Sequence, residues 1–145
     1  MNLSRSSQSY QRVATQTASP GQLILMLYDG IIRFLEQARL GFAYDDPLEF
    51  NRTINNNVLR AQAIISELNL CLNMEQGGEV SANLRRLYHY LDGQLQKANQ
   101  HKTEKEIIEV ISRVTVLRDA WSEMLSKESP SSSAAARSEG LSVTG

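Results

Sequence analysis

The stretch from Ala18 to Ala38, A-S-P-G-Q-L-I-L-M-L-Y-D-G-I-I-R-F-L-E-Q-A, constrains the fold of this chain more than any other. Ser19 can accept a first-turn backbone N–H, Pro20 sits where its missing N–H costs nothing, and Gln22 completes an S-x-x-Q capping box. At about 100° per residue, Leu23, Leu27, Ile31, Phe34 and Ala38 form one stripe, widened by Ile24 and Leu35. Leu25 and Ile32 fall on a second side, with Met26 between the two. A helix that is apolar nearly all round is either deeply buried or covered by something else.

Three further helices follow from caps and periodicity. Asp46, Pro47 and Glu49 give a start for a helix over about 47–72, with Phe50, Ile54, Val58, Ala61, Ile65, Leu68 and Leu72 on its core face. Gly77-Gly78 is a strong local break. After it, Val80, Leu84, Leu87, Tyr88, Leu91, Leu95 and Ala98 share one face of a helix over about 79–99. Thr103-x-x-Glu106 opens the last helix, about 104–126, with Ile107, Val110, Ile111, Val114, Leu117, Trp121 and Leu125 inward. The expected fold is all-α: an antiparallel up-and-down four-helix bundle with short connections. Residues 1–17, rich in Ser and Gln, read as a mobile N-terminal arm held by Tyr10 and Val13. Residues 18–128 form the helical domain. Residues 129–145 are low-complexity, with the composition of a disordered tail.

Composition excludes more than it selects. Fifteen basic residues against sixteen acidic ones give a net charge of −1, so nothing argues for nucleic acid or an anionic membrane. Cys71 is the only cysteine, which rules out an intramolecular disulfide and any zinc site built on several cysteines. No secretory h-region opens the chain, and no run approaches the roughly 20 apolar residues of a membrane span. A cytoplasmic protein without membrane insertion is expected.

Enzymatic constellations are missing too. Neither His89 nor His101 has a Glu three residues before it, as a di-iron bundle would require, and no phosphate-binding glycine loop or H-E-x-x-H occurs. The chain reads as a non-enzyme with no cofactor and no metal. His89 supplies the one alternative, a histidine phosphotransfer module, since such modules carry a solvent-facing His on a four-helix bundle. They usually place a Lys three residues on, followed by Gly. Here Asp92 stands in that place, before Gly93, and would repel a phosphohistidine.

A bundle needs one apolar stripe per helix, and three helices carry more. Leu25 and Ile32, Leu48, Leu59 and Leu70, and Ile108 and Val116 lie off the core stripes. These seven are the candidate client-binding residues, lining a surface that receives amphipathic segments. Tyr10 and Val13 would cover part of it when no client is bound. A homodimer seam is the alternative use of the same surface.

Particular residues carry a family likeness. Tyr10-x-x-Val13 is followed by T-A-S-P-G-Q-L-I-L-M-L-Y-D-G-I-I-R-F-L, residues 17–35. Further blocks are L-N-M-E-Q-G-G-E-V-S-A-N-L-R-R-L-Y-H-Y-L, residues 72–91, and the R-D-A-W ending at Trp121. Together they resemble the flagellin-specific export chaperones of the flagellar secretion system, the FliS family. The resemblance implies a cytoplasmic four-helix bundle that binds the C-terminal segment of flagellin, prevents its premature polymerisation and assists delivery to a component of the type III export gate. It also implies that the N-terminal arm can occupy part of the client surface, and that no nucleotide is used.

Overall fold

A computed structural model describes residues 18–144, with side chains for 18–73 and 77–128. The arm, with Tyr10 and Val13, lies outside the described residues, as do the side chains from Ser129 onward. Helices α1 (Pro20–Gly41), α2 (Pro47–Leu70), α3 (Met74–His101) and α4 (Lys105–Thr144) follow in order. No strand occurs among the described residues.

The helix starts are those the caps imply, with different chemistry at two of them. The Gln22 N–H donates to Ser19 Oγ at 3.2 Å, so the first capping bond forms as expected. Asp46 occupies the N-cap position of α2 but makes no side-chain cap bond. There the fixed backbone of Pro47 sets the start. Thr103 sits two residues before α4 begins, and its hydroxyl donates to the Glu106 carboxylate at 2.6 Å. Helix α3 is assigned from Met74, but Gly78 interrupts it with φ 53° and ψ −124°. Only glycine enters that region without strain. The regular part of α3 therefore starts where the Gly77-Gly78 break places it.

Within residues 26–116, one packed unit, short connections and cross-helix contacts define antiparallel neighbours. A Cβ on Gly30 would meet Ile64 at 3.0 Å, and one on Gly41 would meet Ile54 at 2.9 Å, so α1 and α2 run oppositely at close range. Asn99 donates to Asn55 at 2.9 Å and Gln62 to Asp92 at 3.1 Å, which sets the antiparallel register of α2 and α3. Gln94 donates to Glu109 at 2.6 Å across α3 and α4. Arg39 closes the ring from α1 to Glu104, at 2.9 Å. Lys102 makes the α3–α4 turn in the left-handed region, φ 53°. Its ammonium donates to the Asn99 carbonyl and side chain, each at 2.6 Å.

The core of this unit draws on all four helices. Ile31, Leu35, Ile54, Leu68, Leu91, Leu95, Ile107 and Val110 are among its fully enclosed side chains. Each contributes roughly 1.5–3 kcal/mol relative to exposure. On α1 the buried line is Tyr28, Ile31, Leu35 and Ala38, rotated from the stripe read in the sequence. Leu27 and Phe34 are only half-buried. The guanidinium carbons of Arg33 and Arg60 lie 5.2 and 5.6 Å from the centre of the Phe34 ring, which therefore forms the rim of the α1–α2 seam. Val80, expected inward, is exposed, because it stands in the first turn after the Gly78 break. Ile64, absent from the expected stripe, is buried because Gly30 leaves room for it. The unit formed by the described side chains of 18–25 and 117–128 has its own contact. The Trp121 indole donates to the Gly21 carbonyl at 2.7 Å.

Two glycines should respond in opposite directions. Gly93 is helical and has nothing within 4 Å of an added Cβ, so Gly93→Ala should stabilise by about 1 kcal/mol. Gly41→Ala forces a methyl onto Ile54 and Thr53 and should cost about 1–3 kcal/mol. Urea unfolding of both variants checks the pair. A destabilised Gly93→Ala would mean that α3 is packed against something at that point.

Candidate functional site

The off-stripe apolar residues are where exposed apolar surface appears. Leu48 is 59% exposed, Leu59 51%, Leu70 84%, Ile108 45% and Val116 67%, a deliberate-looking departure from the enclosed core of the same helices. Ile32 and Leu25 are half-buried. The six that lie in the unit of residues 26–116 are not gathered in one place. Leu48, Leu59 and Leu70 are each eleven residues apart, a rotation of only about 20° and a rise of about 16 Å per step. They make one straight line along the outer face of α2. Ile32 stands seven residues before Arg39 and Ile108 four after Glu104, the ion pair that joins α1 to the start of α4, so helical spacing puts both on the side of that α1–α4 seam. Val116 lies two turns beyond Ile108 and about 80° round α4. Leu25 belongs to the unit of 18–25 and 117–128.

Further exposed apolar residues were not in the expected set: Leu40, Tyr44, Val80, Tyr90 and Met124. Leu40 and Tyr44 stand at the α1–α2 turn, on either side of the Gly41 approach. The available signal was the mid-turn position of an aromatic residue, Tyr44, before Asp45-Asp46. Tyr90 is held in a polar network on the outside of α3 and α4. Its hydroxyl donates to Glu109 at 2.6 Å, Arg113 donates to the same carboxylate at 2.9 Å, and the Arg113 guanidinium carbon is 5.1 Å from the ring centre. Tyr90 first, then Gln94 and Arg113, hold the Glu109 carboxyl below its ordinary range by hydrogen bonding.

The middle of α2 carries no carboxylate. Residues 50–66 contain Arg52 and Arg60 but no Asp or Glu. The leucine line is thus flanked by amides, hydroxyls and two cations, a surface on which apolar and main-chain groups can settle without meeting buried acid. Cys71, exposed just past α2, has its thiol pushed up by partial desolvation and by the Glu67 carboxylate. That favours the unreactive protonated form. His89 is exposed, and Asp92, one turn on, accepts from Gln62. No group of His, Cys, Asp and Glu that could hold a metal ion occurs among the described residues. Among the described residues no helix is long and apolar enough to cross a membrane.

Beneath this surface, Tyr28 and Tyr88 join α1 to α3 by a buried hydroxyl–hydroxyl bond of 2.7 Å. Burial pushes both phenols up. The shared bond pulls Tyr28 partly back and pushes Tyr88 further. An unfolded tyrosine ionises near 10, while the folded pair keeps its protons to higher pH. Stability from this pair is therefore intact below about pH 10 and lost as pH rises above it. Tyr28→Phe should cost about 1–3 kcal/mol by stranding the Tyr88 hydroxyl. The double variant Tyr28→Phe, Tyr88→Phe should cost less than the two single losses added together, and should resist alkaline unfolding better than the parent. Urea midpoints at pH 8 and above pH 10 measure both effects; additive losses would show that the pair is not coupled.

The four helices thus enclose a core and leave an apolar line exposed on the outer face of α2. The chain belongs to the FliS family: the model described as flagellar protein FliS matches residues 3–128. Among similar proteins, the flagellar secretion chaperone FliS of Bacillus subtilis is 37% identical over 120 residues, covering 83% of this chain and 86% of that one. The FliS chaperone of Salmonella typhimurium is 33% identical over 116 residues, covering 80% and 84%. That of Campylobacter jejuni is 35% identical over 123 residues, covering 83% and 91%.

Proposed function

We propose that this chain is a flagellar secretion chaperone that binds the C-terminal segment of flagellin in the cytoplasm, keeps it from polymerising early and assists its delivery to the export gate. The observation that carries this reading is the line of exposed leucines on α2, outside a core that is already complete without them. Family membership supplies the client class, since the relatives are named flagellar secretion chaperones. The activity is binding and not catalysis. A client segment that is disordered alone has to gain enough apolar burial to offset its own ordering. A few side chains of about 1.5–3 kcal/mol each can do that.

Leu48, Leu59 and Leu70 are the central client contacts in this reading. Ile32 and Ile108 provide a second contact at the α1–α4 seam, and Leu25 and Val116 outlying ones. Tyr10 and Val13 cover part of this surface in the free chain. Light scattering of flagellin under polymerising conditions tests the function. An equimolar amount of the chain should suppress filament growth, and growth at the unchanged rate would contradict the reading.

A further inference from the structure

We propose that the outer face of α3 is a docking site for an acidic helical segment of a second protein. Residues 80–101 hold Arg85, Arg86 and Lys97, with His89 and His101, against a single carboxylate, Asp92, in a chain whose net charge is −1. That carboxylate already accepts from Gln62 of α2, and Glu109 of α4 is taken up by Tyr90, Gln94 and Arg113. Among the described residues, Arg86 donates to the neutral side chain of Asn83, and neither Arg85 nor Lys97 makes an ion pair. Arg85 has a further reason to take an outside acceptor. Polar rungs seven residues apart join α2 to α3, Asn99 to Asn55 and Gln62 to Asp92. The next rung falls at Asn69 and Arg85, but there the Asn69 Oδ1 and the Arg85 Nε are both enclosed and unbonded. An unmet enclosed donor is costly to keep.

The face has the shape of a helix-binding surface. At about 100° per residue, Arg86, Gly93 and Lys97 fall within about 40° of one another, and all three are exposed. They make a line about 16 Å long, three turns of helix. Gly93 stands in its middle with nothing within 4 Å of an added Cβ, so a partner helix can come close between the two cations. A segment with Asp or Glu at three- and four-residue spacing on one face meets Arg86 at one end, Lys97 at the other and Arg85 on the flank, where a guanidinium can hold a carboxylate bidentately. Nucleic acid fits less well, because the nearest ring, Tyr90, is bonded to Glu109 and covered by the Arg113 guanidinium, away from base stacking. A membrane fits less well too, since the line carries no apolar side chain to enter it. The site is on a different helix from the leucine line of α2, which stays open to the client.

The experiment uses the full chain without flagellin, so its outcome is independent of the client reading. The probe is a labelled synthetic helical peptide with Glu along one face, set against the same peptide with Gln in those places, in about 50 mM salt. The Glu peptide should bind one-to-one with Kd below about 100 μM, and the Gln peptide about tenfold or more weaker. The double variant Arg86→Glu, Lys97→Glu should lose about tenfold or more, whereas Arg52→Glu, Lys127→Glu, equal in net charge but on other faces, should lose much less. Gly93→Leu should also weaken the Glu peptide about tenfold while staying helical by circular dichroism. Arg85→Met should weaken it without lowering the melting temperature, since it removes an unmet donor. A Lys peptide should bind the Arg86→Glu, Lys97→Glu variant and not the parent. Equal binding of the Glu and Gln peptides, equal losses in the two double variants, or tighter binding of a single-stranded RNA of similar length overturns the proposal. A lowered melting temperature in Arg85→Met overturns the anchoring part given to Arg85.

Discussion

Leu35→Ala should lower the unfolding free energy by about 2–5 kcal/mol, a large part of the stability of a domain this size. Leu35 is completely enclosed between helices, so the truncation leaves a cavity that neighbouring side chains can fill only in part. Phe34→Ala, one residue away, should cost clearly less, because that ring is half-buried and roofed by Arg33 and Arg60 instead of by core atoms. The order of the two losses in urea unfolding is the informative result. A larger loss at Phe34 would place the α1 core on the stripe suggested by hydrophobic spacing alone.

The second large effect is on binding. Leu59→Asp should weaken flagellin affinity by about tenfold or more, that is by about 1.4 kcal/mol or above, while leaving helix content and melting temperature close to the parent. Leu59 already has half its surface in water, so a carboxylate there costs the free chain little. In a complex it would be desolvated without a partner. Val116→Asp, on another face, should matter less. Titration of both variants with flagellin separates the surfaces. Equal affinity for Leu59→Asp and the parent would remove α2 from the client site and leave the α1–α4 seam as the candidate.

Most of the architecture was legible because helix caps and 3.6-residue periodicity are local signals. Ser19-Pro20, Asp46-Pro47 and the Gly77-Gly78 break each stand at a real boundary. The rotation of the α1 core was harder to read, since that helix is apolar nearly all round and several stripes compete. Tyr28 wins an inward place because Tyr88, sixty residues away, satisfies its hydroxyl, a partner no local pattern reveals. Gly30 and Gly41 act in the same non-local way, by admitting Ile64 and Ile54.

The candidate surface was legible only in part. Leu48, Leu59, Leu70, Ile108 and Val116 were identifiable as off-stripe residues, and all are exposed. Their division among α2, the α1–α4 seam and the outer side of α4 depends on helix neighbours, which spacing within one helix does not encode. Val80 was misassigned inward because the break at Gly78 displaces the first turn from the face that the rest of α3 buries. Tyr44 and Leu40 owe their exposure to the α1–α2 turn.

The proposed function turns on recognition of one end of one client. Calorimetric titration of the chain with monomeric flagellin, full length and lacking its C-terminal segment, tests it most directly. Saturable one-to-one binding to the full-length protein is expected, with a loss of at least about a hundredfold, 2.7 kcal/mol, on removing the segment. Equal affinity for the two forms, or no binding to either, would contradict it.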